Sequence, residues 1–202
     1  MRGMSIKAVI WDLGGVLVRT EDWGPRERLA DELGLARKAL EAQMFEGEHG
    51  RRGQLGIVSG EAHWERLADE LGVEKDVLIQ RFFAGDQLDE ALVDYVRKLR
   101  PAYKTGLLSN AFSTLRKSLS AEWGILDAFD EVIISAEVGL AKPDEAIYQL
   151  ALDKLGAKAE EAIFVDDFEA NVAGAQDMGI HAVQFTGREQ AIEAIEGILD
   201  RH

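Results

Sequence analysis

The chain has 202 residues, 47% hydrophobic and 30% charged, with a formal net charge of −14, a globular composition with room for one large domain or a core carrying an insertion. So negative a balance argues against nucleic acid and anionic membrane surfaces as partners, although a bound cation can reverse the field locally for a phosphorylated small molecule. There is no cysteine, which excludes disulfides, thiolate catalysis and zinc–thiolate sites and fits a cytoplasmic location, and no apolar run approaches a membrane span.

The opening "MRGMSIKAVIWD" lacks a long apolar h-region and a small-residue cleavage site, so it reads as the first strand, not as a signal peptide. That strand, Ile6–Asp12, is apolar until it ends on a carboxylate. Gly14 and Gly15 follow as turn residues that let backbone lie close to a ligand. Between Val18 and about Leu88 there is no convincing strand, only amphipathic helical sequence. "ERLADELG" occurs there twice, starting at Glu27 and Glu65. Two copies are too few for a solenoid; they read as two helices with one apolar stripe each (Leu29 and Leu33; Leu67 and Leu71), ended by glycine, with a duplicated helical hairpin as the alternative. The stretch "GEHGRRGQLG" (Gly47–Gly56) lacks the spacing of a phosphate-binding loop, has no strand leading into it, and reads as a flexible connector.

Further along, apolar strands are expected at Lys104–Asn110, Glu131–Ser135, Glu161–Asp167 and Ile180–Phe185. Helical patterns fill the intervals, as where Ile147, Leu150, Ala151 and Leu155 share a face, or Ile192, Ile195, Ile198 and Leu199 in the tail. In "GLAKPDEAIY", Lys142 stands just before a helix, with Pro143 suited to its first position and Asp144 and Glu145 to its first turn. The alternation predicts an α/β fold, a doubly wound parallel sheet of Rossmann type with both faces covered, interrupted after its first strand by a helical insertion. The division is residues 1–18 and 89–202 for the core and 19–88 for the insertion.

Ligands of doubly wound sheets bind outside the carboxyl ends of the strands. Those ends carry Asp12, Ser109 with Asn110, and Asp166 with Asp167, and Lys142 joins them. Taken singly, each has a plainer reading: Asp12 as a turn or cap residue, Ser109 as a helix cap, and Lys142 as a surface lysine. Adjacent acids after "AIFV" repel each other unless a cation or lysine sits between them. Together the residues suit phosphoryl transfer. Asp12 is a carboxylate nucleophile, Ser109 and a following backbone N–H hold phosphoryl oxygens, and Lys142 offsets developing charge. Mg²⁺ would take oxygens from Asp12, Asp166 or Asp167, and a carbonyl near Gly14.

These residues resemble the four motifs, in order, of the haloacid dehalogenase (HAD) superfamily: "VIWDLGGVL", "LLSN", "VGLAKPDEAIY" and "IFVDDFEANVAGA". The resemblance covers essentially the whole chain, and the insertion resembles a C1 cap. It implies Asp12 as nucleophile, Ser109, Asn110 and Lys142 at the phosphate, and Asp12, Gly14, Asp166 and Asp167 at Mg²⁺, with Asn171 as a supporting polar residue. Gly14 stands where most phosphatases of that superfamily have a second Asp acting as general acid and base. A similar D-x-G-[GN]-V pattern occurs in a subgroup resembling bacterial sugar-phosphate phosphatases.

The expected function is a Mg²⁺-dependent phosphatase for a small phosphorylated metabolite. A 2-haloacid dehalogenase, or a protein that binds a phosphorylated ligand or partner without efficient turnover, are the alternatives. Within the insertion, Glu48, His49, Arg51 and Arg52 are candidates for reading the substrate, against a plainer reading as solvated loop residues. Monomer and dimer are both compatible with the pattern.

Overall fold

The computed structural model describes residues 5–201; Met1–Met4, part of the segment read as the first strand, and His202 lie outside the described residues. In chain order the elements are β1 (Ala8–Trp11), β2 (Val18–Thr20), α1 (Gly24–Glu32), α2 (Arg37–Phe45), α3 (Glu48–Gln54), α4 (Gly60–Leu71), α5 (Lys75–Phe83) and β3 (Asp86–Leu88). Then come α6 (Glu90–Leu99), β4 (Lys104–Ser109), α7 (Leu115–Lys117), β5 (Glu131–Ile134), α8 (Ser135–Val138) and α9 (Glu145–Leu155). The chain closes with β6 (Ala162–Asp166), α10 (Glu169–Asp177), β7 (His181–Gln184) and α11 (Arg188–Leu199).

Five strands form one parallel sheet in the order β5-β4-β1-β6-β7. The apolar runs of β1, β4 and β6 are buried on both faces, which is why they are continuous and not alternating. Successive residues go to opposite layers. Val9, Trp11, Leu107, Ile163 and Val165 join one apolar cluster with residues of α6 and α11, while Ala8, Ile10, Leu108, Ala162 and Phe164 join the other, against α9 and α10. β1 lies at the centre, with β4 on one side and β6 on the other. The crevice outside its carboxyl end is therefore the switch point where such sheets bind ligands, and Asp12 stands there.

Residues of α1, α2, α4 and α5 build most of a third apolar cluster, including Leu29, Leu40, Met44, Trp64, Leu67, Leu78 and Phe82, which Phe112 joins from beyond β4. The two "ERLADELG" copies use the same positions in it, Leu29 and Leu67 being buried and Leu33 and Leu71 half-buried. Gly72 ends α4 in the left-handed region at φ +66°, and Gly34 follows α1 at φ +68°.

Three local expectations need correction. The interval read as strandless contributes β2 and β3, an antiparallel ribbon pairing Val18 with Leu88 and Thr20 with Asp86; at three residues each, neither strand is long enough to show a period. The stretch Gly47–Gly56, read as a connector, contains helix α3. Pro143 lies before α9, not at its first position; Asp144 caps that helix, its side chain accepting the Ala146 N–H.

Where the ribbon re-enters the core, Asp89 caps α6, accepting the Leu92 N–H at 2.9 Å. It also accepts Arg19 of β2 and Arg188 of α11, each at 2.9 Å. Burial works to raise the Asp89 carboxyl, but the Leu92 N–H and the two guanidinium groups outweigh it and hold it below the usual carboxylate range. A lowered carboxyl stabilises the fold above its ordinary pKa, and that stability is lost as pH falls through the lower folded value. Asp89→Ala is expected to destabilise the protein by about 2 kcal/mol at neutral pH, and urea unfolding should show a smaller loss at acid pH than at neutral pH.

Candidate active site

Asp12 follows β1 directly, its backbone N–H donating to the Val165 carbonyl of β6 at 2.9 Å. The turn after it is tight, with the Leu13 carbonyl accepting the N–H groups of Val16, Leu17 and Val18. Gly15 has φ +78°, and a Cβ there would lie 2.1 Å from Asp167 Oδ2. Only glycine satisfies both conditions. Gly14 differs: its φ lies outside the left-handed region, and a Cβ there would meet no protein atom within 4 Å. Among protein atoms, a close approach that excludes a Cβ is found at Gly15 and not at Gly14.

Asp166 ends β6 and is fully buried; Asp167, the next residue, is exposed. One oxygen from each of Asp12, Asp166 and Asp167 can be chosen so that all lie within 4.8 Å of one another. Lys142, itself buried, stands in this cluster with Nζ 2.8 Å from Asp12 Oδ1 and 2.6 Å from Asp166 Oδ2. It also lies 5.4 Å from the centroid of the Phe164 ring. Burial, with the Asp166 charge, raises the Asp12 carboxyl to about 7 even though Lys142 and the Leu13 N–H lower it. Burial and the Asp166 charge also raise Asp167.

The neighbours of this cluster are fixed by local contacts around Asp166 and by contacts between distant segments. Asn171, on the first turn of α10, donates Nδ2 to both oxygens of Asp166, at 3.1 and 3.0 Å, and the Phe168 N–H adds a bond of 2.7 Å to Oδ1. Asp166 is thereby held by four donor contacts, counting Lys142. Ser109 is buried at the end of β4. The side chain of Asn110 takes the backbone of Lys142 at both ends, donating to its carbonyl at 2.8 Å and accepting its N–H at 2.9 Å. Sequence reasoning missed that clamp, and it missed Tyr148, whose buried hydroxyl donates to the Asn171 carbonyl at 2.8 Å. Nothing local marks either contact, because each joins residues more than twenty positions apart. In the helical insert, Arg51 donates to the Glu46 carbonyl at 2.6 Å, and Arg52 lies 3.7 Å from Glu48. His49 is half-buried on the same helix.

The donor set suits a hard divalent cation. It consists of carboxylate oxygens only, and one ammonium leaves the three acids with uncompensated negative charge. Among the described residues no helix is long and apolar enough to cross a membrane.

The family model of haloacid dehalogenase-like hydrolases matches residues 6–179. A structure of a predicted HAD-like family hydrolase from Porphyromonas gingivalis superposes with a TM-score of 0.80 at 27% identity, covering 96% of this chain and 98% of that one. Acyl-CoA dehydrogenase family member 10 of Mus musculus is 39% identical over 71 residues, 35% of this chain but only 7% of the mouse protein. Ribulose-1,5-bisphosphate 5-phosphatase of Halopiger xanaduensis is 34% identical over 86 residues, 42% of this chain and 36% of that protein.

Carboxylates bind a cation only when ionised, so a divalent ion is expected to stabilise the protein more as pH rises through the raised value of Asp12. Thermal melts should show a larger gain from added Mg²⁺ at pH about 8 than at about 5.5. Gly15→Ala, which forces a methyl into Asp167, should reduce that gain.

Proposed function

The chain belongs to the haloacid dehalogenase-like hydrolases, and we propose that it is a Mg²⁺-dependent phosphatase of a small phosphorylated metabolite, sugar phosphates being one candidate class. The observation that carries this reading is the Lys142 ammonium bonded to both Asp12 and Asp166, beside Asp167. That arrangement keeps a buried carboxylate close to a fixed positive charge, which is what an acid must have to approach an anionic phosphate. The phosphatase from Halopiger xanaduensis named above is similar over the matched region, which supports the same reaction class.

Asp12, the Gly14 carbonyl, Asp166 and Asp167 would hold Mg²⁺, whose charge when bound screens nucleophile from phosphate. An Asp12 oxygen forms a bond to phosphorus as the bond from phosphorus to the leaving oxygen breaks, giving an aspartyl phosphate. The leaving oxygen takes its proton from water. Water then attacks phosphorus, the bond to Asp12 breaks, and phosphate departs with the carboxylate restored. Ser109 Oγ, the backbone N–H of Asn110 and Lys142 hold the oxygens of the transferring group. Asn110 serves in a second way, because its side chain fixes the backbone that presents Lys142. Asn171 orients Asp166. His49, Arg51 and Arg52 would read the remainder of the substrate from the insert.

Gly14 brings no acid to the leaving group. A general acid contributes about 10²–10⁴-fold, so the enzyme should favour leaving groups that depart without a proton. Hydrolysis of p-nitrophenyl phosphate is expected to require Mg²⁺, to stop with EDTA, and to fall by at least about 10³-fold in Asp12→Asn. Folded protein that binds Mg²⁺ and shows no turnover in any condition would refute the phosphatase reading. Alkyl phosphates, sugar phosphates among them, should be hydrolysed far more slowly than the aryl ester. Gly14→Asp, which enters open space, should raise the alkyl rate by up to about 10²-fold while changing the aryl rate little.

A further inference from the structure

Glycine occupies every third position from Gly47 to Gly56, a spacing unsuited to a helix on propensity alone. In α3 and the turn after it, most of these glycines are places of close approach. A Cβ on Gly50 would lie 2.6 Å from the Phe45 carbonyl oxygen, one on Gly53 2.5 Å from the Phe112 ring, and one on Gly56 2.1 Å from the Ala136 carbonyl oxygen. Gly60, opening α4, would place its Cβ 3.0 Å from Phe112 Cβ.

Phe112 is the unexpected partner. It follows Ser109 and Asn110 by only a few residues, yet its ring belongs to the apolar cluster of the insert. The ring is stacked on His63 at 4.8 Å between centroids and on Phe45 at 6.5 Å, and it meets Trp64 edge-on at 5.8 Å. The residue before it, Ala111, is tied to the core, its N–H donating to Ser135 Oγ at 2.9 Å. Gly56 touches Ala136, the neighbour of that serine. The glycine edge of α3 therefore contacts both sides of the point where the Ser109–Asn110 turn is fastened.

We propose that Phe112 is a positioning residue: seated in a socket that Gly53 and Gly60 leave open, it couples the docking of the helical insert to the geometry of the turn that holds phosphate. The inference rests on the phosphatase reading of Ser109 and Asn110. Displacing the insert moves Phe112, and Phe112 moves the turn, while the acids of β1 and β6 stay in place. Phosphate binding thus depends on the insert without any insert side chain touching phosphate.

Gly53→Ala tests this directly, since alanine otherwise favours a helix and the three atoms nearest the added methyl all belong to the ring. With Mg²⁺ present, the Kd for inorganic phosphate by calorimetry and the KM for p-nitrophenyl phosphate should rise together, on the order of 10-fold. Mg²⁺ affinity should remain that of the wild type. Phe112→Leu should weaken phosphate binding in the same direction, and the double variant should be no weaker than Phe112→Leu alone, because the methyl has lost the ring it meets. Wild-type phosphate affinity in both single variants would overturn the proposal and leave the phosphatase reading standing. A wild-type protein that neither binds phosphate nor turns over ester would overturn both. If Gly53→Ala folds poorly, Phe112→Leu decides alone.

Discussion

The structure turns on one buried ammonium. Asp12, Asp166 and Asp167 are brought within 4.8 Å of one another by strands that are central to the sheet, and three like charges in such a place repel strongly. Lys142 bonds two of them and lies over the Phe164 ring. Removing it would leave buried carboxylates unpaired, which is far worse than never having buried them. The residual negative charge after that pairing is what fits the site for a hard cation.

Lys142 lies on no strand, and its place is secured from elsewhere. Asn110 grips its backbone on both sides, so the end of β4 determines where the ammonium stands. Asn171 holds Asp166 from α10, and Tyr148 of α9 holds the Asn171 carbonyl. Each grip is a side chain bonding a backbone or a carboxylate, and two of the three join distant segments. The charged groups are few, and most of the surrounding polar atoms serve to aim them.

Much of this could be read from residue order. The five strands of the sheet, the acids at their ends and the stripes of the two "ERLADELG" helices follow from runs and periods that local sequence carries. Other parts could not. β2 and β3 are three residues each, too short for any period. α3 contains two glycines among seven residues, so propensity points away from a helix that packing nonetheless forms. The Asn110 and Tyr148 contacts depend on which segments meet, which periodicity does not say. Gly14 and Gly15 look alike as letters, yet only one lies in the left-handed region with a carboxylate beside its Cα.

The β2–β3 ribbon has a consequence for how such a chain can change over generations. Val18 and Leu88 are ladder partners, so the chain leaves the core and returns at nearly one point. To the sheet, everything between Thr20 and Asp86 is a single hairpin whose tip happens to be large. Lengthening a closed loop twofold adds only about 0.6 kcal/mol of closure entropy. The outer part can therefore be lengthened, trimmed or exchanged between relatives with little strain on the acids beneath it. What such an exchange must preserve is a surface that still fits the residues after Asn110.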